Sequence, residues 1–129
     1  EIRCDTLLEH PDTVPAEKAK LVPEDGVLHP VTEVKFNGGN SVFDVFRHVL
    51  REEKIHFEYV DASAYESVYI EGIGNLYEFD CGELSGWKYR VNGWFPNYGC
   101  SRYQVQSGDV IEWLYTCDLG ADVGGGEFQ

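Results

Sequence analysis

The 129-residue chain contains no methionine, not even at its first position. A leader or other N-terminal segment is therefore expected to have been removed, and no secretory hydrophobic region remains within the sequence. Basic residues are scarce: ten Lys and Arg stand against 23 Asp and Glu, for a net charge of −13. A nucleic-acid binder needs a basic face, so this deficit argues against that class. Anionic membrane surfaces would repel the chain too, and no apolar run approaches the ~20 residues that cross a bilayer. The same charge leaves a metal cation or a cationic ligand open.

Closely spaced cysteine pairs are also missing. Cys4, Cys81, Cys100 and Cys117 form no C-x-x-C motif, whereas structural zinc draws its ligands in such pairs. Four cysteines allow three disulfide pairings. Disulfides would imply an oxidising compartment and hence export, while buried free thiols are the alternative. Repeats and low-complexity segments are absent, apart from Gly124-Gly125-Gly126, which reads as part of a loose glycine-rich tail over 120–129.

Hydrophobic residues make up 43% of the chain and charged residues 26%. That is globular chemistry, enough for one domain over 1–129 with a core of its own. Residues 2–8 read as a strand, 15–20 as a helical turn, and 31–36 as a second, alternating strand. The clearest element runs from Ser41 to about Glu53. Val42, Val45, Phe46, Val49 and Leu50 recur there at helical spacing, making one apolar stripe. Ser41 and Asp44 form a capping-box-like start, with the acid at the positive end of the helix dipole. Ile55, Phe57 and Tyr59 alternate as a third strand, followed by short strand candidates at 68–70 and 76–79. Trp87, Tyr89 and Val91 alternate into Asn92-Gly93, a type I′ hairpin signal because both positions require positive φ. Val110 to Cys117 is nearly unbroken apolar sequence, as in a central strand. The order predicts an α+β fold: a β-grasp-like mixed sheet with one packed amphipathic helix, its last strand beside its first.

Catalytic constellations find little support. Gly82-Glu83-Leu84-Ser85-Gly86 is not a nucleophile elbow, and His10, His29, His48 and His56 have neither metal nor triad spacing. No enzyme is expected, and a hydrolase ranks last among the functions considered. The glycines near the C-terminus lack the Lys-Ser/Thr and following helix of a phosphate loop. Asp118 and Asp122 bracket a Leu-Gly-Ala turn that would suit calcium or another divalent cation, although it is not an EF-hand loop; a solvated acidic turn is the plainer reading. No cofactor is required. The densest feature is aromatic: Trp87, Tyr89, Trp94, Phe95, Tyr98, Tyr103, Trp113 and Tyr115 crowd the last third. Trp87 and Trp113 are expected inside. Asn92, Trp94, Phe95 and Tyr98 are expected at a hairpin tip that could present a ligand or partner face.

These residues carry a resemblance. Ser41-Val42-Phe43-Asp44-Val45, Tyr69-Ile70-Glu71-Gly72-Ile73, Ser85-Gly86-Trp87-Lys88-Tyr89-Arg90-Val91-Asn92-Gly93 and Ser107-Gly108-Asp109-Val110-Ile111-Glu112-Trp113 resemble the transcobalamin-like C-terminal domain of bacterial exported and surface proteins, over about 31–119. The resemblance implies a β-grasp domain without catalytic activity, whose relatives in cobalamin carriers close over the corrinoid. The expected function is thus a non-enzymatic exported or cell-surface module binding a small-molecule, glycan or protein ligand. A divalent-cation module and a cobalamin-contacting cap domain are the alternatives. A β-grasp topology makes first and last strands neighbours, which suggests a Cys4–Cys117 disulfide. A second disulfide, Cys81–Cys100, would then staple the ends of the aromatic hairpin.

Overall fold

The computed structural model describes residues 1–62 and 67–125. Its strands are β1 (Ile2–Arg3), β2 (Val27–His29), β3 (Phe57–Ala62), β4 (Ser67–Ile73), β5 (Leu76–Tyr77), β6 (Gly86–Val91) and β7 (Ile111–Thr116), with helices α1 (Ala16–Ala19) and α2 (Val42–Glu52). The main sheet has the order β2-β1-β7-β6, with β1 parallel to β7 and the other pairs antiparallel; β3-β4-β5 form a second, antiparallel sheet. The α+β class holds, and the last strand is central beside the first. The strands do not make one continuous mixed sheet, however, but two.

Local chemistry explains the helix. Ser41 Oγ accepts from the Asp44 amide at 3.1 Å, and the Asp44 carboxylate accepts from the Ser41 amide at 2.9 Å, so the capping box is complete. The next two orphan donors, Val42 N–H and Phe43 N–H, bond to the carbonyls of Tyr103 and Cys100. The loop 100–103 is thereby fastened to the start of α2. Val42, Phe46 and Leu50 are buried, and the Phe46 ring lies 4.6 Å from Trp113 on β7 and 5.4 Å from Phe57 on β3.

The two sheets are joined by large side chains that also satisfy their polar ends. Trp87 Nε1 donates to the Leu76 carbonyl at 2.8 Å, and the Tyr115 hydroxyl donates to the Tyr77 carbonyl at 2.8 Å. Trp87 and Tyr115 meet edge to face at 5.2 Å, the arrangement aromatic quadrupoles favour.

Two expected strands differ. Only Ile2–Arg3 of the 2–8 segment is strand, because Asp5–Glu9 winds into a 3-10 turn, whose Thr6 hydroxyl donates to the Tyr115 carbonyl at 2.6 Å. Among the described residues, 31–36 pair with no strand; they form an extended strap. Its alternation is real, with Val34 and Phe36 half-buried and Glu33 and Lys35 exposed, but no sheet partner meets the inner face: Phe36 packs against the core and Val34 lines a concavity shared with α2. The C-terminal segment is not a loose tail over 120–125: Gly125 N–H bonds to Gly120 O at 2.6 Å around a 3-10 turn at Ala121–Val123. Residues 126–129 of that expected tail lie outside the described residues.

Candidate functional site

The hairpin after β6 is as tight as its sequence requires. Val91 and Trp94 exchange both backbone hydrogen bonds, at 2.8 and 2.9 Å. Asn92 and Gly93 take φ of 53° and 80°, the left-handed pair of a type I′ turn. The Asn92 side chain is committed to structure. Its Nδ2 donates to Asp109 at 2.9 Å and its Oδ1 accepts from the Val110 amide at 2.8 Å, tying the hairpin to the 106–110 turn. Asn92 is therefore a scaffold residue rather than a ligand-facing one.

Of the three aromatics assigned to the tip, two stand in solvent. Trp94 is 45% exposed and Tyr98 37%, whereas Phe95 is buried at 5%. The placement of Phe95 on a binding face is thus corrected. It turns under Arg90, whose guanidinium sits 5.5 Å from the ring centroid, and Arg90 in turn makes a two-pronged bond to Glu112 at 2.9 and 2.7 Å. That pair holds the Glu112 carboxyl below its ordinary pKa, chiefly through the hydrogen bonds from Arg90. Trp94, Tyr98 and Tyr103 form a row: Trp94 meets Tyr98 edge-on at 6.3 Å, and Tyr98 stacks on Tyr103 at 6.3 Å. The Tyr98 carbonyl accepts from Tyr89 at 2.6 Å, and burial keeps that Tyr89 hydroxyl protonated by pushing its pKa up. The groove beside the row, between β4 and β6, holds only about 180 Å³.

The acidic turn is closed on itself. Asp122 accepts from the Thr116 hydroxyl and, at 2.8 Å, from the Cys117 amide; the Asp118 and Gly120 amides donate back to Thr116 Oγ1 at 3.1 and 2.7 Å. Both Asp122 oxygens are occupied by the protein, and among the described residues no three His, Cys, Asp or Glu side chains come together as a metal would need. Asp122, expected with Asp118 as a cation pair, serves a hydrogen-bonded turn to which Asp118 gives its amide.

The cysteine pairings also change. All four are free thiols. The β1–β7 register sets Arg3 beside Leu114, but Cys4 does not bond to Cys117. Instead Cys117 neighbours Cys81: the β6–β7 register sets Ser85 across from Cys117, and Ser85 Oγ accepts from the Cys81 amide at 3.0 Å. Cys100 is not bonded to Cys81; its sulfur lies 3.7 Å from the Val68 carbonyl.

A second, larger concavity carries no clear sign in the sequence. A cleft of about 850 Å³ opens between α2 and the 31–35 strap, with Trp113 and Ile111 at its floor. Val45 and Val49 line its helical wall. They are half-buried, since the sheet covers only the Phe46–Leu50 side of the stripe. Val31 and Val110, at the mouth, are 74% and 53% exposed. A faint sign in the sequence is the width of the stripe: five apolar residues for a face of which the fold seals three.

Comparison with solved structures finds this fold within part of a larger protein. Haptocorrin, solved in complex with Cbi, superposes with a TM-score of 0.56 at 20% identity, over 70% of this chain and 24% of haptocorrin. The chain therefore spans about a quarter of that protein's length. A structure from Ruminococcus gnavus described as a "putative metal binding protein" is 18% identical, over 74% of this chain and 88% of that one, with a TM-score of 0.49. No curated protein matches the chain. The family model described as a domain of unknown function, DUF4430, matches residues 39–116, which take in α2, both sheets from β3 onward and the aromatic hairpin; the chain belongs to that family.

Proposed function

We propose that the chain is a non-enzymatic binding module, exported or displayed at the cell surface, that takes a largely apolar, uncharged or cationic small molecule in the cleft between α2 and the 31–35 strap. The observation that carries this reading is the cleft itself. Its volume of about 850 Å³ lies within the ~300–1,000 Å³ of small-molecule sites, which are mostly apolar with a few polar groups. Half-exposed and exposed valines at its wall and mouth leave apolar surface that a ligand would cover. The net charge of −13 disfavours an anionic ligand. The fold shared with haptocorrin, a protein solved with Cbi bound, is consistent with a binding role and places corrinoids among the compounds to test. Export rests on the resemblance to a domain of bacterial exported and surface proteins and not on the cysteines, which are free thiols.

A second reading has its own observation. Trp94 and Tyr98 are exposed yet held by the tight turn and the Tyr89–Tyr98 bond. Preordered aromatics lose little entropy on binding and suit a polyhydroxylated ligand such as a glycan. One titration separates the two. Nile red, a neutral polycyclic dye, is added to the native chain, to Val49→Trp, and to Trp94→Ala/Tyr98→Ala. The cleft reading expects saturable blue-shifted emission that Val49→Trp weakens at least tenfold and the double variant leaves intact. The reverse pattern would move the site to the aromatic row, and no saturable binding to the native chain would end the cleft reading.

A further inference from the structure

We propose that Cys81 and Cys117 are a matched dithiol that closes to a disulfide on reaction with a small-molecule disulfide, fastening the turn before β6 to the end of β7. The argument starts from placement. The β6–β7 register pairs Gly86 with Thr116, so the residue before β6 lies across from Cys117. Ser85 is that residue, and its Oγ accepts from the Cys81 amide at 3.0 Å, donates to the Gly82 carbonyl at 2.7 Å and lies 3.1 Å from the Tyr115 hydroxyl. Cys81 is thereby fixed against the end of β7. Cys117 is held on its side by the bond from its own amide to Asp122 at 2.8 Å. Just beyond, Leu119 N–H bonds to the Leu84 carbonyl at 2.9 Å. Both cysteines sit within this set of clamps, Cys81 bonded through its amide to the residue that stands across from Cys117, and Cys81 is near enough to contribute to the raised pKa of the Cys117 thiol. Sulfurs so placed need little backbone movement to bond. Cys4 and Cys100 lie outside these clamps: Cys4 is fully buried, its amide bonded to the Gly26 carbonyl at 2.7 Å, and the Cys100 sulfur lies 3.7 Å from the Val68 carbonyl.

The chemistry balances as thiol–disulfide exchange. Cys117 is the more exposed of the pair. Its thiolate attacks one sulfur of the incoming disulfide. That S–S bond breaks, and the departing thiolate takes up the proton Cys117 gave up. Cys81, deprotonated in turn, attacks the Cys117 sulfur of the mixed disulfide. The second thiolate leaves and is protonated. Two protein thiols are oxidised and one small disulfide is reduced to two thiols. Burial raises the Cys117 pKa to about 12, so the first step is slow at neutral pH.

The test uses the full chain, equilibrated with oxidised and reduced glutathione, then denatured and alkylated without reductant. The expected product carries two alkyl groups, on Cys4 and Cys100, and is about 2 Da lighter than the fully reduced form apart from those groups, because two hydrogens have left. Peptide mapping then recovers one cross-linked species joining Cys81 to Cys117. The Cys4→Ser/Cys100→Ser variant is expected to form the same cross-link. Four alkylated thiols in the wild type, or a cross-link that involves Cys4 or Cys100, would overturn the proposal. The wild-type map decides the matter even if that variant fails to fold.

Discussion

Replacing Phe46 by alanine probes the joint on which both the fold and the cleft depend. Phe46 is 4% exposed and contacts Trp113 at 4.6 Å and Phe57 at 5.4 Å between ring centroids. It therefore connects α2 to the central strand of one sheet and the edge of the other. Buried Phe→Ala changes cost about 3–5 kcal/mol, the sum of lost transfer energy and the cavity left behind, and aromatic pairs add about 0.5–1.5 kcal/mol within such totals. Phe46 also lines the cleft, so part of the void opens to solvent rather than remaining an empty cavity. The expected loss is thus about 3–4 kcal/mol. With a urea m-value of roughly 1.5–2 kcal/mol/M for a domain of this size, the midpoint falls by about 2 M. His48→Ala serves as the control. His48 lies on the same helix, but its side chain is 60% exposed, and its contact with Glu52, at 3.3 Å, joins two exposed groups; its loss is within about 0.5 kcal/mol. Equilibrium urea unfolding followed by tryptophan fluorescence measures both. A Phe46→Ala loss below about 1 kcal/mol, or one equal to that of His48→Ala, would refute the packing assigned to α2.

The Arg90–Glu112 pair sets a pH dependence with a defined sign. Because the folded state holds the Glu112 carboxyl below its ordinary value of 4.5, its stabilisation is fully present above that value and is lost as the pH falls through the lower folded pKa. The stability gap between wild type and Glu112→Gln is expected to be constant from about pH 7 to 5 and to shrink below about 4.5; a gap that widens in acid would contradict the assignment. Acrylamide quenching of single-tryptophan variants is expected to reach Trp94, at 45% exposure, far more readily than Trp87 or Trp113, each at 5%. Trp94 quenched no better than Trp113 would remove the exposed aromatic row.

Features set by neighbours in sequence were legible. The Ser41–Asp44 capping box and the Asn92-Gly93 turn each depend on a few adjacent residues, and both appear as read. The central place of β7 beside β1 was also accessible, since a nearly unbroken apolar run marks a central strand. What failed depended on distant partners. Alternation over 31–36 reports an inner and an outer face but cannot say what the inner face meets; here Phe36 packs on the core and Val34 lines the cleft opposite α2. Phe95 follows an exposed turn and carries no local sign that Arg90 and the Gly120–Gly125 turn will cover it. Asp122 reads as a cation ligand until Thr116 and the Cys117 amide take its oxygens. The cysteines were paired by assuming a single sheet. The split into two sheets and the turn at 78–85 bring Cys81 to Cys117 instead. The cleft is a property of how far the strap stands from the helix, which no residue encodes alone.

The most direct test of the central claim is a two-dimensional amide NMR titration of the native chain with Nile red. If the cleft is the binding site, the amides of Val34, Val45, Val49 and Ile111 shift in a saturable manner, while the Trp94 indole and the amides of Tyr98 and Tyr103 stay fixed. Shifts confined to Trp94, Tyr98 and Tyr103, with the cleft residues unmoved, would contradict the account.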